Sequence, residues 1–144
     1  MKPAPLQLLD YWATSIHMDA CPNYDPDLET DPDFDSIVVE HDVKQLESSD
    51  SDDGGSRWLV GLSIEQKSCD SANIPYTFSV TLQGIVLELF GLPIDEKLKR
   101  AITANGPAML FGAAREMIRA ATGRGPHRAV IIPSTNFIFP SQAQ

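Results

Sequence analysis

The side chains that could do chemistry are few and scattered. The histidines His17, His41 and His127 lie far apart, with no second ligand at metal-binding spacing, so each reads as a surface or hydrogen-bonded residue. Cys21 and Cys69 form no C-x-x-C pair, and each reads as a small buried group rather than a nucleophile. There is no G-x-S-x-G, no Walker sequence and no G-x-G-x-x-G; Gly123-Arg124-Gly125 follows a helical stretch, the wrong side for a phosphate cradle. Asp31, Asp33 and Asp35, with Asp42 twelfth in the run, imitate a calcium loop. The sixth place is Ser36 where the sharp turn wants glycine, and Ile37-Val38-Val39 reads as strand. No catalytic constellation, cofactor or metal site follows, and the expectation is a protein that is not an enzyme.

Composition narrows the class further. The 144 residues carry 20 acids against 11 Lys and Arg, a net charge of −9 that repels nucleic-acid phosphate. An apolar share of 42% suits one globular domain spanning residues 1–144. No stretch approaches the ~20 apolar residues of a membrane helix, and no basic-then-apolar leader opens the chain. Two cysteines are too few for a disulfide framework, which favours a cytoplasmic setting. The charge is polarised: 13 acids and one base lie between Asp19 and Asp53, seven bases and one acid between Lys97 and Arg128.

Four extended segments precede the helix. Leu6, Leu8, Trp12, Ile16 and Met18 share even positions, predicting a first strand whose buried face is interrupted at Asp10 and Thr14. A proline-rich acidic loop follows from Cys21 to Asp35, then a second strand marked by Ile37, Val39 and Val43, with Val38 on its other face. Trp58, Val60, Leu62 and Ile64 alternate with less apolar neighbours, as do Tyr76, Phe78, Val80 and Leu82, giving the two clearest strands. Beyond Gly84 both faces turn apolar, so that end must be covered by the chain or by another molecule. A short helix is expected within 93–104. A longer one would be capped by Asn105, with Pro107 in its first turn, a stripe of Leu110, Ala114, Met117, Ile118 and Ala121, and Gly123 past its end. The class is α+β: a four-stranded antiparallel sheet packed against a long C-terminal helix.

Those residues resemble a family. Asn105-Gly-Pro-Ala-Met109-Leu110-Phe111-Gly-Ala-Ala-Arg115-Glu116-Met117-Ile118, then Gly123-Arg-Gly125 and Pro133-Ser-Thr-Asn136-Phe137, is similar to the long helix and following segment of SecB-type protein-export chaperones. Ile16-His-Met18-Asp19-Ala20-Cys-Pro22-Asn23 resembles the family's first-strand end, and Phe78 through Ile85 its fourth strand. The resemblance implies a SecB-like sheet and helix, a homotetramer built as a dimer of dimers, and an ATP-independent holdase for unfolded polypeptide clients. It places a client groove among the loop, the second strand and the helix, which here offer Tyr24, Leu28, Phe34, Val38, Met109, Phe111 and Met117. Asp19 keeps one acidic position that docks the translocase motor, while the fourth-strand counterpart is Ser79. Gly112-Ala113 replaces the family's Pro-Tyr, and the sequence to Gln144 holds no counterpart of the terminal helix and basic tail. Three functions stay open: a general holdase serving export; a dedicated chaperone of one partner such as an antitoxin or phage protein, without translocase coupling; and, from another class, an enzyme or metal-binding protein using the acidic stretch.

Overall fold

The computed structural model describes residues 1–28, 36–46, 55–67 and 73–137. Its elements are β1 (Leu6–Ala20), β2 (Ile37–Leu46), β3 (Arg57–Gln66), β4 (Tyr76–Glu88) and α1 (Glu96–Thr122). The strands form one antiparallel sheet in the order β1-β4-β3-β2, so β2, β3 and β4 run as a meander and β1 returns beside β4. The long β1–β2 connection therefore carries the chain from one edge of the sheet to the other. This is the four-stranded sheet with one C-terminal helix expected from the alternation and the stripe.

The two central strands behave as their period of two requires. Trp58, Val60, Leu62 and Ile64 of β3 and Tyr76, Phe78, Val80, Leu82 and Val86 of β4 are all at most 4% exposed and share the face under the helix. The opposite face carries Ser63, Glu65, Thr77, Ser79 and Thr81, which no helix covers among the described residues.

The expectation for β1 needs one correction. Register shifts between Leu8 and Asp10 and between Ala13 and Ser15 insert Leu9 and Thr14 as extra residues. Each bulge turns the following side chains over. Trp12 therefore pairs with Gln83 on the face away from the helix, while Tyr11 and Ala13 take the helix side, opposite Gly84 and Leu82. The second bulge returns Ile16 and Met18 to that side, opposite Val80 and Phe78. The polar interruptions noted at Asp10 and Thr14 lie beside and at these bulges.

The helix also differs from expectation. It is one element of 27 residues, about 40 Å long, not two. Its cap is Asp95, whose carboxylate accepts the Leu98 N–H at 2.9 Å, and Asn105 lies inside, donating to the Ala101 carbonyl at 2.7 Å. Pro107 is interior, where it removes one backbone hydrogen bond and costs about 3 kcal/mol in an isolated helix. Packing holds the helix through it: Gly106 and Pro107 are both buried, and a Cβ on Gly106 would come within 2.9 Å of Val60 Cγ2. The buried stripe begins earlier than Leu110, with Leu98 and Ile102, and continues through Leu110, Phe111, Ala114 and Ile118 to Thr122. Ala121 is exposed, because the stripe's four-residue spacing passes to Thr122 instead. Each fully buried Leu or Ile contributes roughly 2 kcal/mol of apolar burial. Among the described residues, no helix is long and apolar enough to cross a membrane.

Residues after Gly123 form no regular element up to Phe137, yet Ile132 and Phe137 are buried in the core. Ile138 and Phe139, the apolar residues that follow Phe137 in the sequence, lie outside the described residues.

Candidate functional site

The start of the β1–β2 loop is fixed by side chains from three other parts of the chain. His127 donates from Nε2 to the Cys21 carbonyl at 2.9 Å and from its backbone N–H to the Tyr76 hydroxyl at 2.9 Å. The Tyr24 ring lies tilted on the His127 ring with centroids 4.9 Å apart. Asp25 and Asn73 exchange two bonds, the Asp25 N–H donating to the Asn73 side-chain oxygen and the Asn73 amide donating to the Asp25 carbonyl. Gly125 makes this junction possible, since a Cβ there would collide with the Tyr76 hydroxyl. Cys21 is 2% exposed, as expected of a small buried group, but it is disulfide-bonded and carries no free thiol. The reasoning from cysteine number therefore misses a covalent tie at the end of β1.

The residues implied for a client groove fall in three places. Tyr24 is half-buried on His127, and Leu28 is 57% exposed further along the loop; Phe34 lies outside the described residues. Val38 is 42% exposed and pairs with Glu65, on the face of the sheet turned away from the helix. Met109 and Met117 are half-buried against the core, and Phe111 is 4% exposed within it. Tyr24 and Leu28 thus share the loop, and Met109, Phe111 and Met117 share the helix. Val38 stands across the sheet from both methionines. Asp19 is exposed on that far face, its carboxylate 2.7 Å from His17 Nε2.

The covering of Phe111 comes from the segment after the helix. Phe137 stands edge-on to Phe111 at 5.6 Å and to His41 of β2 at 5.3 Å. Arg115 donates from Nε to the Ile132 carbonyl at 2.6 Å and from a terminal nitrogen to Ser134 Oγ at 3.2 Å. Thr122 Oγ1 donates to the Ile118 carbonyl at 2.7 Å and accepts the Val130 N–H at 2.8 Å. Arg115 and Thr122 thus act as clamps. Their sequence signal was thin: α1 also carries Arg100, Arg119 and Thr103, and nothing in the spacing sets Arg115 and Thr122 apart.

Further apolar side chains stand uncovered elsewhere, on both faces of β1 and beyond β4. Leu9, Tyr11, Trp12 and Ile16 of the edge strand β1 are 38–54% exposed, and Phe90, Leu92 and Ile94, between β4 and α1, are 47–61% exposed. The apolar end of β4 expected to need a cover is thus left open past Glu88. Glu88 itself was missed. It is completely buried, and its two carboxylate oxygens accept the N–H groups of Phe90 at 2.6 Å and Leu92 at 3.0 Å. Gly91 adopts φ 63°, the left-handed turn that a glycine supplies without strain, and lets both amides reach one carboxylate.

Among the described residues, no group of three His, Cys, Asp or Glu side chains is arranged to hold a metal. Asp42, the last position of the calcium-like run, lies over Gly61, where a Cβ would collide with its carboxylate.

No protein-family model and no curated relative matches the chain. Among solved structures, the fold is similar to that of the Mycobacterium tuberculosis SecB-like chaperone Rv1957, determined in complex with a ChAD peptide from the Rv1956 HigA1 antitoxin. The TM-score is 0.51 over 90% of this chain and 89% of that chain, at 11% sequence identity. The fold is SecB-like.

Proposed function

We propose that the chain, residues 1–144 working as one unit, is an ATP-independent holdase that binds non-native polypeptide segments and keeps them from aggregating. The observation that carries this reading is the apolar side chains left exposed on a well-packed scaffold, Leu28 and Val38 among the implied contacts and Phe90, Leu92 and Ile94 beyond β4. A holdase needs such adaptable apolar surface, and the net charge of −9 would keep a loaded complex soluble. The SecB-like fold and the motifs of α1 support the same reading. Tyr24, Leu28, Phe34, Val38, Met109, Phe111 and Met117 are the proposed client-contacting residues. Self-association into a dimer of dimers belongs to the proposal, because β1 leaves one edge unpaired along 15 residues.

A dedicated role is the second reading, favoured by the antitoxin peptide held by the similar Mycobacterium tuberculosis chaperone. Client range separates the two. Light-scattering suppression with several unrelated unfolded proteins, without nucleotide, tests both while the particle mass is measured in the same buffer. Protection of most clients near four chain masses fits the general holdase serving export; protection of one or few fits the dedicated chaperone. Protection of none refutes the general holdase, and failure to bind antitoxin-derived peptides as well refutes both.

A further inference from the structure

The chain from Arg128 to Phe137 is extended, irregular and anchored by side chains. Ile132 and Phe137 are 4% and 9% exposed, while Ile131 between the clamps is 70% exposed. Among the described residues, no backbone-to-backbone hydrogen bond holds residues 126–137. What holds the segment is the Phe137 ring between Phe111 and His41, the Arg115 bonds to Ile132 and Ser134, and the Val130 N–H on Thr122. A stretch with two buried anchors and no ladder opens at far lower cost than a strand or helix of the core.

Its chemistry is that of a non-native polypeptide: two apolar anchors five residues apart, polar residues and a proline between them, and no secondary structure. It lies between α1 and the edge strand β2, on the buried face of Phe111. We propose that residues 128–137 are a built-in stand-in for a client, occupying an apolar groove between α1 and β2 that an incoming polypeptide segment takes over when they swing out. The proposal rests on the holdase reading and adds a regulatory contact to it. Phe111 is then client-binding in the open form and core in the closed one. Arg115 becomes the latch, since its two bonds to the segment break on opening while its helix stays folded.

The apparent affinity of a client for such a groove is reduced by the fraction of time the groove is open. The test compares the full chain with its Phe137→Ala variant for binding reduced, carboxymethylated α-lactalbumin, a permanently unfolded chain. A variant that binds about tenfold tighter fits a groove open about a tenth of the time in the parent. Hydrogen exchange of the unaltered protein supplies the second measurement. With the probe at saturation, the Val130 amide, held on Thr122 Oγ1, exchanges faster if the probe displaces the segment. Equal or weaker binding by a folded variant overturns the proposal and leaves the holdase reading standing, as does unchanged or slower exchange of the Val130 amide. Binding by neither protein overturns both. If Phe137→Ala fails to fold, the exchange measurement on the unaltered protein decides alone.

Discussion

Replacing Glu88 by Gln changes one oxygen to an NH2 group and little else in shape, so it isolates what the buried carboxylate does. Both oxygens accept loop amides, from Phe90 at 2.6 Å and Leu92 at 3.0 Å, and the side chain has no exposed surface. Glutamine can accept only one of the two. Its NH2 group then faces the other N–H, donor against donor, and two polar groups lose their partners beside a fully buried side chain. Each unsatisfied group costs about 1–3 kcal/mol, and the surviving bond loses its charge assistance, so the expected loss is about 3–4 kcal/mol. For a domain of this size that corresponds to a fall in Tm of roughly 10 °C. Urea unfolding should show a lower midpoint with an unchanged slope. Hydrogen exchange should show Phe90 and Leu92 as the first amides to lose protection. A midpoint within about 0.5 kcal/mol of the parent would mean that water replaces the carboxylate and that Glu88 does not fix the 89–94 loop.

Leu110→Ala should cost about 3–5 kcal/mol, because the leucine is fully buried against Gly84, which has no side chain to fill the cavity; a melting point equal to the parent's would refute the packing. Asp95→Ala should destabilise by about 1 kcal/mol while Asn105→Ala changes little, since only Asp95 caps the helix; thermal melts of the two variants give the order, and the reverse order would show a helix break near Asn105. Leu28→Asp should weaken client binding several-fold and shift stability by less than about 0.5 kcal/mol, as an exposed loop residue makes no core contact. Unchanged affinity in a client titration would remove Leu28 from the binding surface.

Local pattern made the central architecture legible. Alternation at Trp58–Ile64 and Tyr76–Leu82 assigns strands and faces because a period of two is a property of the backbone alone. The stripe from Leu110 to Ile118 identifies the helix for the same reason, with a period of 3.6. The candidate site was legible only as a set of apolar residues on a loop, a strand and a helix.

The class of each element and which side of it is apolar follow from residues within a few positions of one another, so local pattern is enough to read them. Tertiary structure decided the rest, because it depends on partners far along the chain. Pairing of β1 with β4 sets the bulges at Leu9 and Thr14 and turns Trp12 over. Close contact of Gly106 with Val60 accompanies the helix's continuous passage through Pro107. The bonds from Arg115 and the rings of Phe111 and His41 bring Phe137 into the core. That last contact buries Phe111, and only long-range packing could show whether an apolar residue on a helix faces a client or its own chain.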